Sequence, residues 1–118
     1  VTGLGVSLLL VLIGSAELWL CWLGSQRRLP PNALVGIRLS ATRTSDEAWY
    51  VAHESAAGLF GLGGGVGATC GVAVLFTGLD LVGIAVAAIG AVALLAATSV
   101  ATIVALRSVK DMPDQSAS

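Results

Sequence analysis

Three side chains in this sequence have the chemistry to bind or move charge: the carboxylate of Glu17, the guanidinium of Arg38 and the imidazole of His53. Glu17 lies inside a run of apolar residues, where an ionisable group is costly enough that a partner or a function is the default expectation. Arg38 and His53 are its candidate partners. Two readings of Glu17 stay open: a proton- or ligand-responsive site, and an ion pair that pins the following loop against the first helix. Arg38 divides in the same way. Its planar fork suits an anionic lipid headgroup or a partner's carboxylate, and equally Glu17 and loop carbonyls. His53, the only histidine, titrates near neutrality when exposed, but its place on an apolar face beside Trp49 points to a buried hydrogen-bonding residue.

Catalysis needs a nucleophile with its base, paired carboxylates or a metal set. No Ser/His/Asp group here has such a spacing, and Glu17, Arg38 and His53 define no reaction class. The expectation is a protein that is not an enzyme and has no catalytic, cofactor-binding or metal-binding residues. Cys21 and Cys70 both fall in apolar runs without a CxxC or histidine company, which suits inert thiols better than a disulfide or metal site. The run "GLGGGVGATCG" at 61–71 loosely matches a dinucleotide-binding glycine loop, yet it follows no strand and has no acidic residue about 20 positions on. Its Gly61/Gly65, Gly63/Gly67 and Gly67/Gly71 pairs are spaced by four, the pattern that lets helices approach closely in lipid. They form a packing face, within the monomer or in a homo-oligomer.

These groups need a scaffold, and composition says which kind. Of the 118 residues 11% are charged and 56% hydrophobic, with a mean hydropathy of +0.91, whereas a soluble domain carries about 25% charged residues. The chain reads as an all-α integral membrane protein surrounded by lipids. A net charge of −1 without any basic run speaks against nucleic acid. Three apolar runs, 4–23, 56–77 and 82–106, are each long enough to cross the roughly 30 Å hydrocarbon core. No basic residue precedes the first run, so it reads as an uncleaved helix and not as a signal peptide. Only "GLD", ending at Asp80, joins the second and third. Residues 1–108 thus form one transmembrane domain, with residues 25–56 as a loop and surface helix and 109–118 as a polar, disordered tail. Arg27, Arg28, Arg38 and Arg43 share the first loop, and Arg107 and Lys110 follow the third run. The positive-inside rule places both segments in the cytoplasm and the N-terminus and Asp80 turn outside.

Within the loop, Pro30 and Pro31 bar a helix, and Gly36 permits unusual backbone angles or a close backbone approach. Asn32 suits hydrogen bonding to loop backbone. A helix begins at Thr44 or Ser45, with Thr44 as cap and Glu47 reaching back to complete a capping box. Trp49, Ala52, His53, Ala56 and Phe60 then share one helix side, and Glu47, Tyr50 and Glu54 another. This helix runs into the second span, with a bend permitted near Gly58 to Gly65 and with Trp49 and Tyr50 anchoring at headgroup level.

Asn32, Gly36, Arg38 and Thr42, followed by Ser45-Asp46-Glu47-Ala48-Trp49 and His53, fit the pattern N-x-x-x-G-[YI]-R … T-x-x-S-[ED]-E-x-W-x-x-x-[NH]. The pattern resembles the signature of the SdpI family of small bacterial membrane proteins, over residues 27–78 by motif and the whole chain by topology, in its short form. This sequence departs from the family's G-Y-R-T-P at Gly36-Ile37-Arg38-Leu39-Ser40, where the Thr-Pro pair is missing. The resemblance implies a multi-pass protein of the bacterial cytoplasmic membrane. It also implies a role in immunity, protecting the producer from a secreted peptide toxin and sequestering a cytoplasmic repressor when toxin is bound. The expected function is therefore toxin immunity or signalling through protein–protein recognition. The alternatives are a structural accessory subunit of a larger membrane complex and, less favoured, a small transporter using Glu17.

Overall fold

The computed structural model describes residues 2–32 and 35–113. It contains three long α-helices: α1 (Thr2–Ser25), α2 (Asp46–Thr77) and α3 (Leu81–Lys110), with a 3-10 turn at Ala41–Arg43. No strand occurs among the described residues. All three helices are long and apolar enough to cross a membrane, and the molecule is a rod of 59 × 20 × 20 Å. Helix α2 is central, packing along both neighbours, while α1 and α3 barely touch.

Each helix extends beyond the apolar run expected to cross the membrane. Helix α1 runs to Ser25, and α3 continues through Arg107 to Lys110, where cations favour the helix C-terminus. Helix α2 takes up the expected surface helix and second span without a break in its 32 residues. About 20 residues suffice to cross the hydrocarbon core, so α2 has some twelve to spare. The start of α2 differs by one residue from the capping expected. Ser45 is the N-cap, accepting from Ala48 N–H at 3.0 Å, while Thr44 donates to Ala41 O at 3.0 Å and closes the 3-10 turn instead. Glu47 turns outward to Arg27 and completes no capping box. At the other end Gly78 adopts φ +67° and Asp80 caps α3, accepting from Gly83 N–H at 2.7 Å.

The buried stripe of α2 runs Trp49, Ala52, His53, Ala56, Phe60, Gly63, Gly64, Gly67, Gly71, Val74, the three-and-four spacing of one helix face. Between helices in lipid the hydrophobic effect is weak, so packing rests on how closely backbones approach. Gly14 and Gly64 meet at the α1–α2 crossing, where a β-carbon on Gly64 would stand 2.5 Å from Gly14 O and 2.9 Å from Leu18 N. Ser7 adds a buried hydrogen bond to Gly71 O at 2.6 Å. Towards α3, Gly63 faces Ala97, Gly67 faces Leu94 and Gly90 faces Cys70. The glycine face is thus used within the chain. Gly65, one of the spaced set, points into open space. Both cysteines are free and half-buried.

Candidate functional site

The segment between α1 and α2 folds into a cap over one end of the bundle. Helix α1 ends in a left-handed residue, Arg27 at φ +56°, with Arg28 N–H donating to Leu23 O at 2.8 Å and Arg27 N–H to Gly24 O at 3.2 Å. This is the paired closure that satisfies the last carbonyls of a helix. Arg27 then reaches α2, donating to Glu54 at 2.8 Å and Glu47 at 3.0 Å. Those carboxylates, Glu54 more than Glu47, push its guanidinium pKa up. Arg28 lies over the Trp22 ring, 5.6 Å from its centroid.

Asn32 ties the next turn together: its amide donates to Pro30 O at 2.9 Å and Val35 O at 3.2 Å, and its oxygen accepts from Val35 N–H at 2.7 Å. Ala33 and Leu34 of the expected loop "ALVGIRL" lie outside the described residues. Gly36 sits at φ +109°, and a β-carbon there would be 2.5 Å from His53 Nε2 and 3.2 Å from the Trp49 ring. Glycine is required twice over, for its backbone angle and for its missing side chain.

That close approach allows the central contact of the cap. Ile37 N–H donates to His53 Nε2 at 2.8 Å, so Nε2 is an acceptor and the ring hydrogen belongs on Nδ1, 2.8 Å from Trp49 O. Both ring nitrogens are engaged, which removes His53 as a partner for Glu17. Thr42 Oγ1 lies 2.6 Å from Ile37 O and 2.9 Å from Leu39 O, and accepts from Leu39 N–H at 3.2 Å. Ile37 itself packs into a buried cluster with Ala52, Ala56 and Phe60 of α2 and Ala101 and Ala105 of α3. Trp49 is fully enclosed, with its ring 4.3 Å from that of His53 and its Nε1–H donating to Leu29 O at 2.8 Å. It is therefore a post beneath the cap and not the lipid-facing anchor expected of it; the expectation rested on residue type, and the covering loop overrides it. Arg38, Leu39, Ser40 and Arg43 stand exposed on the outer surface.

Glu17 has another partner than those expected. Thr98 of α3 donates its hydroxyl to Glu17 Oε1. Oε2 is enclosed without a hydrogen bond, beside Gly63, whose absent side chain leaves it room. Arg38 lines the same cavity of about 330 Å³ as Glu17, Thr98 and Thr102, yet does not bond to Oε2. Thr98 and Thr102 are four apart in an apolar run, one helix turn, a spacing that puts both on one face without telling which of them reaches across to α1. Matching Glu17 to opposite charges alone passed over them.

Three spanning-length helices bound by small-residue contacts, closed at one end by a polar cap, define a multi-pass helical membrane protein. The SdpI/YfhL protein family model matches residues 28–106, and the chain belongs to that family. No curated protein matches the chain, and no solved structure does either.

Proposed function

We propose that this chain is a non-catalytic recognition protein of the SdpI type, serving toxin immunity or signalling from the bacterial cytoplasmic membrane. In this reading the cap and the C-terminus face the cytoplasm, as the six basic residues on that side suggest, and the N-terminus and Asp80 turn face outward. No metal or cofactor enters the reading. The observation that carries it is the division of labour in the cap. Asn32, Gly36, Thr42, Trp49 and His53 are directed inward to hold its shape, and Arg38, Leu39 and Arg43 are presented outward on a loop seated against α2 and α3. A rigid display of two cations around an apolar side chain suits recognition of a protein partner with an acidic surface.

The test is protection. Cells sensitive to a secreted membrane-active peptide encoded beside this gene should survive when they express the chain. Survival should fall at least tenfold for Arg38→Glu with Arg43→Glu at unchanged membrane abundance. Absent protection by the wild type, or full protection by the charge-reversed variant, would sink the reading.

A further inference from the structure

The cavity behind the cap has two chemically different sides. On one, Thr98 commits its hydroxyl hydrogen to Glu17 and Thr102 commits its own to Thr98 O at 2.8 Å. The hydroxyl oxygens are left as acceptors. With the Glu17 carboxylate, 5% exposed and with one oxygen unbonded, that side offers acceptors only. The other side carries Arg38, whose planar positive charge complements a phosphate.

Thr98 also borders a second space, an apolar groove of about 580 Å³ between α1 and α3, lined by Leu9, Ile13, Ala91 and Leu95 among others. The groove exists because α1 and α3 hardly meet. It runs from the level of Glu17 toward the end of the bundle away from the cap.

We propose that cavity and groove together bind one zwitterionic lipid with a primary ammonium head, of the phosphatidylethanolamine class. The ammonium is held by Glu17, Thr98 and Thr102, the phosphate faces Arg38, and an acyl chain lies in the groove. An ammonium's three donors match the three acceptor groups, and a charge-assisted contact away from water is stronger than one in water. A site of this kind, mostly apolar with a few convergent polar groups, is the usual form of a small-molecule pocket. The inference shares Arg38 with the face proposed to meet a partner, and Glu17→Gln and Thr102→Val, which leave Arg38 in place, separate the two readings.

Native mass spectrometry of the full chain in mild detergent tests it, with short-chain phosphatidylethanolamine, phosphatidylcholine and phosphatidylglycerol in competition. Phosphatidylethanolamine should be retained about tenfold over the other two, the size expected of a charged hydrogen bond. Glu17→Gln should bring the three within about twofold of one another, and Thr102→Val, which keeps the shape, should reduce the preference about threefold, each the loss of one acceptor. Ala91→Leu, filling the groove, should weaken all three, whereas Ala96→Leu on another face of α3 should not. Equal retention of the three lipids by the wild type, or an unchanged preference in both Glu17→Gln and Thr102→Val, would overturn the site. Equal binding of glycerophosphoethanolamine, which lacks chains, would remove the groove from it.

Discussion

The cap and the spans beneath it are held by different physics. At the cap end the chain leaves its helices, and its backbone groups find partners one by one: Ile37 N–H on His53, Ile37 O on Thr42, Leu29 O on Trp49. Along the spans beneath the cap the backbone is helical, its own bonds are internal, and Gly14, Gly64, Gly67, Gly71 and Gly90 allow bare approach. One buried bond, Ser7 to Gly71, supplements that contact. The contrast follows from the solvent. In lipid every backbone group must be satisfied within the protein, so irregular chain near the membrane requires dedicated side chains, whereas regular chain requires only room.

The contrast can be broken first at the glycine contacts. Gly64→Val should cost about 3 kcal/mol or more, since its side chain meets backbone atoms that have nowhere to move. Gly65→Val, in open space on the same helix, should be nearly neutral in the same detergent melting experiment. Equal losses would mean that helix propensity and not packing sets the effect.

At the cap end, His53→Ala should cost about 1–3 kcal/mol by orphaning the Ile37 N–H. Gly36→Ala should cost a similar amount, about 1–3 kcal/mol, through its backbone angle and its clash with His53 Nε2. Combining the two should be less than additive, because removing the ring relieves the clash. Strict additivity would show that the ring does not confine Gly36. A cycle between Glu17→Ala and Thr98→Val should reveal a coupling of about 1 kcal/mol, with none between Glu17→Ala and Arg38→Ala. The reverse pattern would restore Arg38 as the direct partner. The smallest change belongs to Arg27→Ala, whose exposed pairs with Glu47 and Glu54 should contribute a melting shift that fades as salt is raised.

The three helices were legible in the sequence because hydrocarbon thickness sets a minimum length and few charges interrupt the runs. Asp80 was legible as a turn for the same reason. That Trp49, Ala52, His53, Ala56 and Phe60 share one helix side followed from their spacing, and all five are buried. What sequence could not supply was contact between distant segments. Thr98 is 81 positions from Glu17, and nothing local distinguishes it from a threonine bonded to its own helix, as Thr102 is. The enclosure of Trp49 depends on where the loop lies, and the choice of Ser45 over Thr44 as cap depends on a 3-10 turn that claims Thr44 first.

The connector at Gly78, Leu79 and Asp80 also has a mechanical side. With three residues between helices that are packed along their length, α2 and α3 cannot slide past one another and move as one lever. Helix α1 is tied to that lever by the longer cap segment and by the glycine crossing near its middle. With few contacts between α1 and α3, the width of the gap between them is set by the angle at which α1 crosses α2 at Gly14 and Gly64.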